Sequence, residues 1–64
     1  MNTTDDLLRR IRGEYLEMAG LRLTVPQASR LWGLSLSASA VLLDELIDLG
    51  FLARTKDGSY YLRD

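Results

Sequence analysis

The chain contains no cysteine and no histidine. That excludes disulfide staples and removes the usual zinc ligands, so any core must form by apolar packing alone. It also removes the common nucleophile–base pairs of covalent catalysis. No stretch approaches the ~18 consecutive apolar residues of a membrane span. The opening stretch, "MNTTDDLLRRIRGEY", starts acidic and lacks the basic and apolar regions of a secretion signal. A Gly-rich phosphate loop is missing as well, and "DGS" at 57–59 reads as a turn. These absences lead to the expectation of a soluble cytoplasmic protein that is not an enzyme, uses no cofactor or metal, and has no membrane partner.

Positive charge is missing from one place in particular. Residues 35–50 carry Asp44, Glu45 and Asp48 with no Lys or Arg, although the whole chain has a net charge of only −1. Residues 21–34 hold Arg22 and Arg30 and no acid, and residues 51–64 hold Arg54, Lys56 and Arg63 against Asp57 and Asp64. An acidic segment is thus flanked by basic ones. With 64 residues and 47% hydrophobic side chains, the chain suffices for one small core. A domain of this size buries only ~60% of the surface its unfolded chain exposes.

The apolar spacing predicts a single domain over 1–64, mainly α with a small antiparallel sheet. A first helix is expected over 4–19, capped by Thr3 or Thr4, with Asp5 and Asp6 at its positive end. Leu7, Leu8, Ile11, Tyr15 and Met18 form its inward stripe. Gly13 weakens the middle, where the helix is free to bend, and Ala19-Gly20 ends it. A short strand at 21–23 needs partners. A second helix over 25–32 starts from Thr24, with Pro26 in its first turn and Gln27 at the capping-box position. Its stripe is Ala28, Leu31 and Trp32, the tryptophan reading as core, and Gly33 stops it. A third helix over 36–49 is capped by Ser35 or Ser37. Ser39, Leu42, Leu43, Leu46 and Leu49 face inward, and Ser37, Val41, Asp44 and Asp48 face outward, flanked by Ala38, Ala40 and Glu45. Gly50 ends it. A hairpin over 51–63 turns at Asp57-Gly58, as a two-residue turn or a longer loop with shifted register. Tyr60 and Tyr61 must point to opposite faces, one toward the core.

Helix, short strand, helix, tight corner, helix, hairpin is the order of a winged helix. From Thr24 to Arg54 the chain resembles bacterial winged helix-turn-helix regulators of the MarR/ArsR type. The likeness lies in "LTVPQASRLWGLS" at the first helix and corner, and in "LLDELIDLGFLART" at the leucine-rich helix end, glycine and wing entry. It implies a recognition helix at Ser37–Leu49 and a wing at Arg54–Tyr61. The implied function is binding of double-stranded DNA in transcription regulation, with a homodimer as the form that adds half-sites.

On that implication the residues against DNA are Arg30, Ser35, Ser37, Ala38, Val41, Arg54, Lys56 and Ser59, with Arg22 and Arg63 as further phosphate contacts. Serines can donate to phosphates or base edges, and Ala38 and Val41 can meet thymine methyls. The chain departs from the family where Arg, Lys, Gln or Asn usually line the recognition helix. Asp44, Glu45 and Asp48 read either as a solvated helix face or, with Val41, as a protein interface toward a basic partner. The bases are equally readable as ordinary solubilising charges.

Overall fold

The computed structural model describes residues 3–63, with side chains from residue 5 onward. The elements are α1 (Thr3–Glu17), β1 (Arg22–Leu23), α2 (Val25–Trp32), α3 (Leu36–Asp48), β2 (Leu52–Arg54) and β3 (Tyr60–Leu62). Three helices pack on a three-stranded antiparallel sheet in the order β1-β3-β2, the winged-helix arrangement expected. No helix among the described residues is long and apolar enough to cross a membrane.

Local chemistry fixes the helix ends. Thr24 and Gln27 form a reciprocal capping box: Gln27 N–H donates to Thr24 Oγ1 at 3.3 Å, and Thr24 N–H donates to Gln27 Oε1 at 2.9 Å. Pro26 sits in the first turn, where a missing N–H costs nothing. At the other end Gly33 adopts φ 66°, a left-handed conformation that a side chain would strain. The amides of Gly33 and Leu34 both return to Ser29 O, and Ser29 Oγ donates to Leu34 O at 2.5 Å. The corner between α2 and α3 is therefore tied by both backbone and side chain. Of the two serines expected as caps, Ser35 accepts from Ala38 N–H at 3.0 Å and starts α3. Gly50, at φ 78°, closes α3, as Phe51 N–H reaches back to Leu46 O. The expected cap of α1 at Thr3 or Thr4 concerns side chains outside the described residues.

Among the described residues, ten apolar side chains form the core: Ile11 and Tyr15 of α1, Leu23 of β1, Ala28 and Trp32 of α2, Leu42, Leu43 and Leu46 of α3, Leu52 of β2 and Tyr60 of β3. Two polar bonds tie α1 to its neighbours. The Tyr15 hydroxyl donates to Tyr60 O at 2.9 Å, and Trp32 Nε1 donates to Glu14 Oε2 at 2.7 Å. Ser39 is fully buried at the same core, and its Oγ has no hydrogen-bond partner among the described residues.

Several boundaries differ from expectation for identifiable reasons. α1 ends at Glu17, not at 19, because Met18–Leu21 closes a turn through Leu21 N–H to Met18 O at 2.9 Å. Met18 thus lies beyond the helix and is exposed. Helix α1 runs unbroken through Gly13. Leu31 is also exposed, because Ala28 and Trp32, four residues apart, take the inward line of the short α2. Leu49 sits one residue past the end of α3 and is exposed rather than core. β1 is two residues long, leaving Leu21 outside the ladder.

The hairpin takes the longer loop. Gly58 N–H bonds Thr55 O at 3.1 Å and Thr55 N–H bonds Ser59 O at 2.9 Å, leaving Lys56, Asp57 and Gly58 as a three-residue connection. A two-residue turn centred on Asp57-Gly58 would need positive φ at Asp57. Here only Gly58 adopts it, at 90°. The Thr55 hydroxyl also bonds the Asp57 carboxylate, which holds that carboxyl below the usual carboxylate range.

Candidate nucleic-acid interface

The surface in question has two parts, the outer face of α3 and the hairpin. Along α3 the first eight residues, Leu36 to Leu43, contain no charge, and all three acids follow in the last five. Ser37 and Val41 are exposed and Ala38 is half-buried. Ser35 has committed an oxygen lone pair to the cap, which leaves its hydroxyl proton free to donate. Leu7 of α1 comes up beside this end of the helix. Together Leu7, Ser35, Ser37, Ala38, Val41 and Leu42 line a shallow, mostly apolar groove. Leu7, on the inward stripe of α1, is half-buried: it packs against the core and also lines this groove.

The sheet register determines where the wing residues point. Residues directly paired across strands share a face. Leu23, Leu52 and Tyr60 are buried on the helix-facing side, and Arg54, paired with Tyr60, belongs to that side at its solvent end. Arg22, Tyr61 and Ala53 are paired across the opposite, outer side. There the Arg22 guanidinium lies over the Tyr61 ring at 5.3 Å, an attraction between cation and π face. Lys56 stands exposed on the loop, while Ser59 is half-buried with its backbone used on both sides by Thr55.

The acidic end of α3 is less uniform than its sequence suggests. Asp44 Oδ1 accepts a hydrogen bond from the Tyr60 hydroxyl at 3.3 Å, so the acid nearest the uncharged half is drawn toward the sheet. Glu45 and Asp48 are exposed, with no bond to another side chain among the described residues. This link is not evident from the sequence. The one sequence signal for it is the two-residue alternation that sends one of Tyr60 and Tyr61 inward, with a phenol long enough to reach past the core.

The bases expected on phosphate fall into two groups. Arg54 and Lys56 belong to the hairpin. Arg22 and Arg30 lie elsewhere, on a second groove between β1 and α2 that also includes Leu23, Gln27 and Leu31. Arg63 follows β3 and is exposed. No protein-family model, curated protein or solved structure matches this chain.

Proposed function

We propose that this chain binds duplex DNA as a transcription regulator of the winged helix-turn-helix type its sequence resembles. The N-terminal half of α3 enters the major groove. Ser37, Ala38 and Val41 meet base edges, and Ser35 donates its remaining proton to a phosphate. Arg54 and Lys56, with Ser59 beneath them, follow the adjacent backbone, and Arg30 contacts phosphate from the corner. The observation that carries this reading is the distribution of charge along α3. The half that would enter the groove is neutral, and its positive helix end favours phosphate. The nearest acid, Asp44, is engaged by Tyr60.

The test is a titration against mixed-sequence duplex at low and at physiological salt. Roughly three to four phosphate contacts, each contributing about 0.9 to the salt slope, make binding weak and steeply salt-dependent. Lys56→Glu should abolish it, and Asp48→Asn should strengthen it. Absence of binding at low salt would reject the reading.

A second reading is favoured by the apolar groove of Leu7, Ala38, Val41 and Leu42, a lining that phosphate contact does not require. In it, Val41, Asp44, Glu45 and Asp48 form an interface for a protein with a basic surface. Charge reversal at Asp44 and Asp48 would then abolish partner binding, while reversal at Lys56 would leave it intact.

A further inference from the structure

The groove between β1 and α2 has an apolar floor and a basic rim. Leu23 and Leu31 form the floor, and Arg22, Gln27 and Arg30 surround it. Leu31 remains 53% exposed although it belongs to a helix whose other face is core. The Oε1 of Gln27 is held in the capping box, which leaves its amide N–H groups to donate. Arg22 lines this groove, and its guanidinium lies over the Tyr61 ring on the outer side of the sheet, so part of its side-chain freedom is already lost. A bare phosphate would use the arginines and gain nothing from the leucines. The lining instead suits a segment presenting an apolar side chain followed by carboxylates.

The chain carries such a segment. Val41, Asp44, Glu45 and Asp48 occupy helix positions i, i+3, i+4 and i+7, one continuous face of α3. Val41, at its N-terminal end, is 60% exposed. The charges are complementary as well: α3 has three acids and no base, and residues 21–34 have two bases and no acid.

We propose that the acidic face of α3 from one copy of this chain docks into the Arg22–Arg30 groove of a second copy. Val41 lies over Leu31, and Glu45 and Asp48 pair with the two arginines, while Asp44 stays with Tyr60. The proposal rests on the second reading above and names the basic partner as another copy of the chain. Because the two patches differ, the contact closes into a dimer when both pairings form at once, and otherwise propagates head to tail. It also covers Val41, so self-association and duplex binding exclude one another.

The test is the mass of the purified chain in solution, without nucleic acid, over a range of concentrations at low and high salt. The expected result is a mass above the 7.2 kDa of one chain at low salt, falling toward it as salt rises. Arg30→Glu and Asp48→Arg should each weaken association about tenfold or more, and the two together in one chain should restore it. Arg22→Glu reads the same groove if either variant unfolds. A chain monomeric at every concentration in low salt overturns the proposal, as does association that no reversal affects. An arginine-rich helical peptide then tells apart the failure of this contact from failure of the second reading. Binding by the monomeric parent but not by Asp48→Arg keeps that reading without the self-contact, and no binding rejects both.

Discussion

The Tyr60 hydroxyl donates to Asp44 Oδ1 at 3.3 Å, joining the central strand of the sheet to the outer face of α3. One bond thereby spans the two parts of the proposed binding surface. Tyr60→Phe removes the donor and should cost about 1 kcal/mol, the usual net value of such a bond. Asp44→Asn retains an acceptor and should cost less. Denaturant unfolding of both single variants and the double variant measures the coupling between them. Fully additive effects would mean that the bond contributes nothing to stability.

Trp32 and Glu14 are the second long-range pair. The indole N–H is part-buried at 2.7 Å from Glu14 Oε2, and Arg10 Nε approaches the other carboxylate oxygen at 3.8 Å. Glu14→Leu leaves that N–H without its acceptor and should destabilise by roughly 1 to 3 kcal/mol, whereas Glu14→Gln should be milder. Trp32 is the only tryptophan, so its fluorescence reports on the site directly. A shifted emission maximum is expected in the leucine variant.

Ser39 presents the opposite case. Its hydroxyl is buried in the core without a partner among the described residues, which penalises the folded state. Ser39→Ala removes the penalty and improves helix propensity, so it should raise stability by on the order of 1 kcal/mol. A rise in thermal midpoint confirms this. A fall would mean that the hydroxyl makes a bond in solution.

Tyr15 couples the stability of the fold to alkaline pH. Burial, with smaller contributions from Glu14 and Tyr60, pushes its phenol from the ordinary 10.0 up to about 12. The folded chain therefore holds this proton more tightly than the unfolded chain does. The stabilisation is complete below pH 10.0 and is lost as pH rises toward about 12. The amount at stake is roughly 2 to 3 kcal/mol. Tyr15→Phe loses the bond to Tyr60 O but should flatten the stability profile over that interval, as followed by circular dichroism at increasing pH.

Elements with a local chemical signature were legible in the sequence. The Thr24–Gln27 capping box, Pro26 in the first turn and Gly33 at the corner define α2 from neighbours three to nine residues apart, and the structure reproduces its limits of 25–32. The leucine spacing likewise identified Leu42, Leu43 and Leu46 as core. Competition between near-equal neighbours was not legible: Trp32 displaces Leu31 from the core, and nothing in spacing alone ranks the two. Contacts between distant segments were also hidden. Asp44 reads as a solvated acid until β3 is placed beside α3, and that Arg22 and Arg30 border one groove shows only once β1 lies beside α2. The outward positions of Ser37 and Val41 followed from helical geometry and are found exposed.

The strand order carries a consequence for how the chain matures. β3 is last among the described elements in sequence but lies between β1 and β2 in the sheet. Its Tyr60 pairs with Leu23 on one side and Arg54 on the other, accepts the Tyr15 hydroxyl bond, and reaches Asp44. A growing chain can form its helices early, yet β1 and β2 have nothing to pair with until residues 60–62 have been made. Up to that point Leu23 and Leu52 remain open edges, and cooperative closure waits on one late tyrosine.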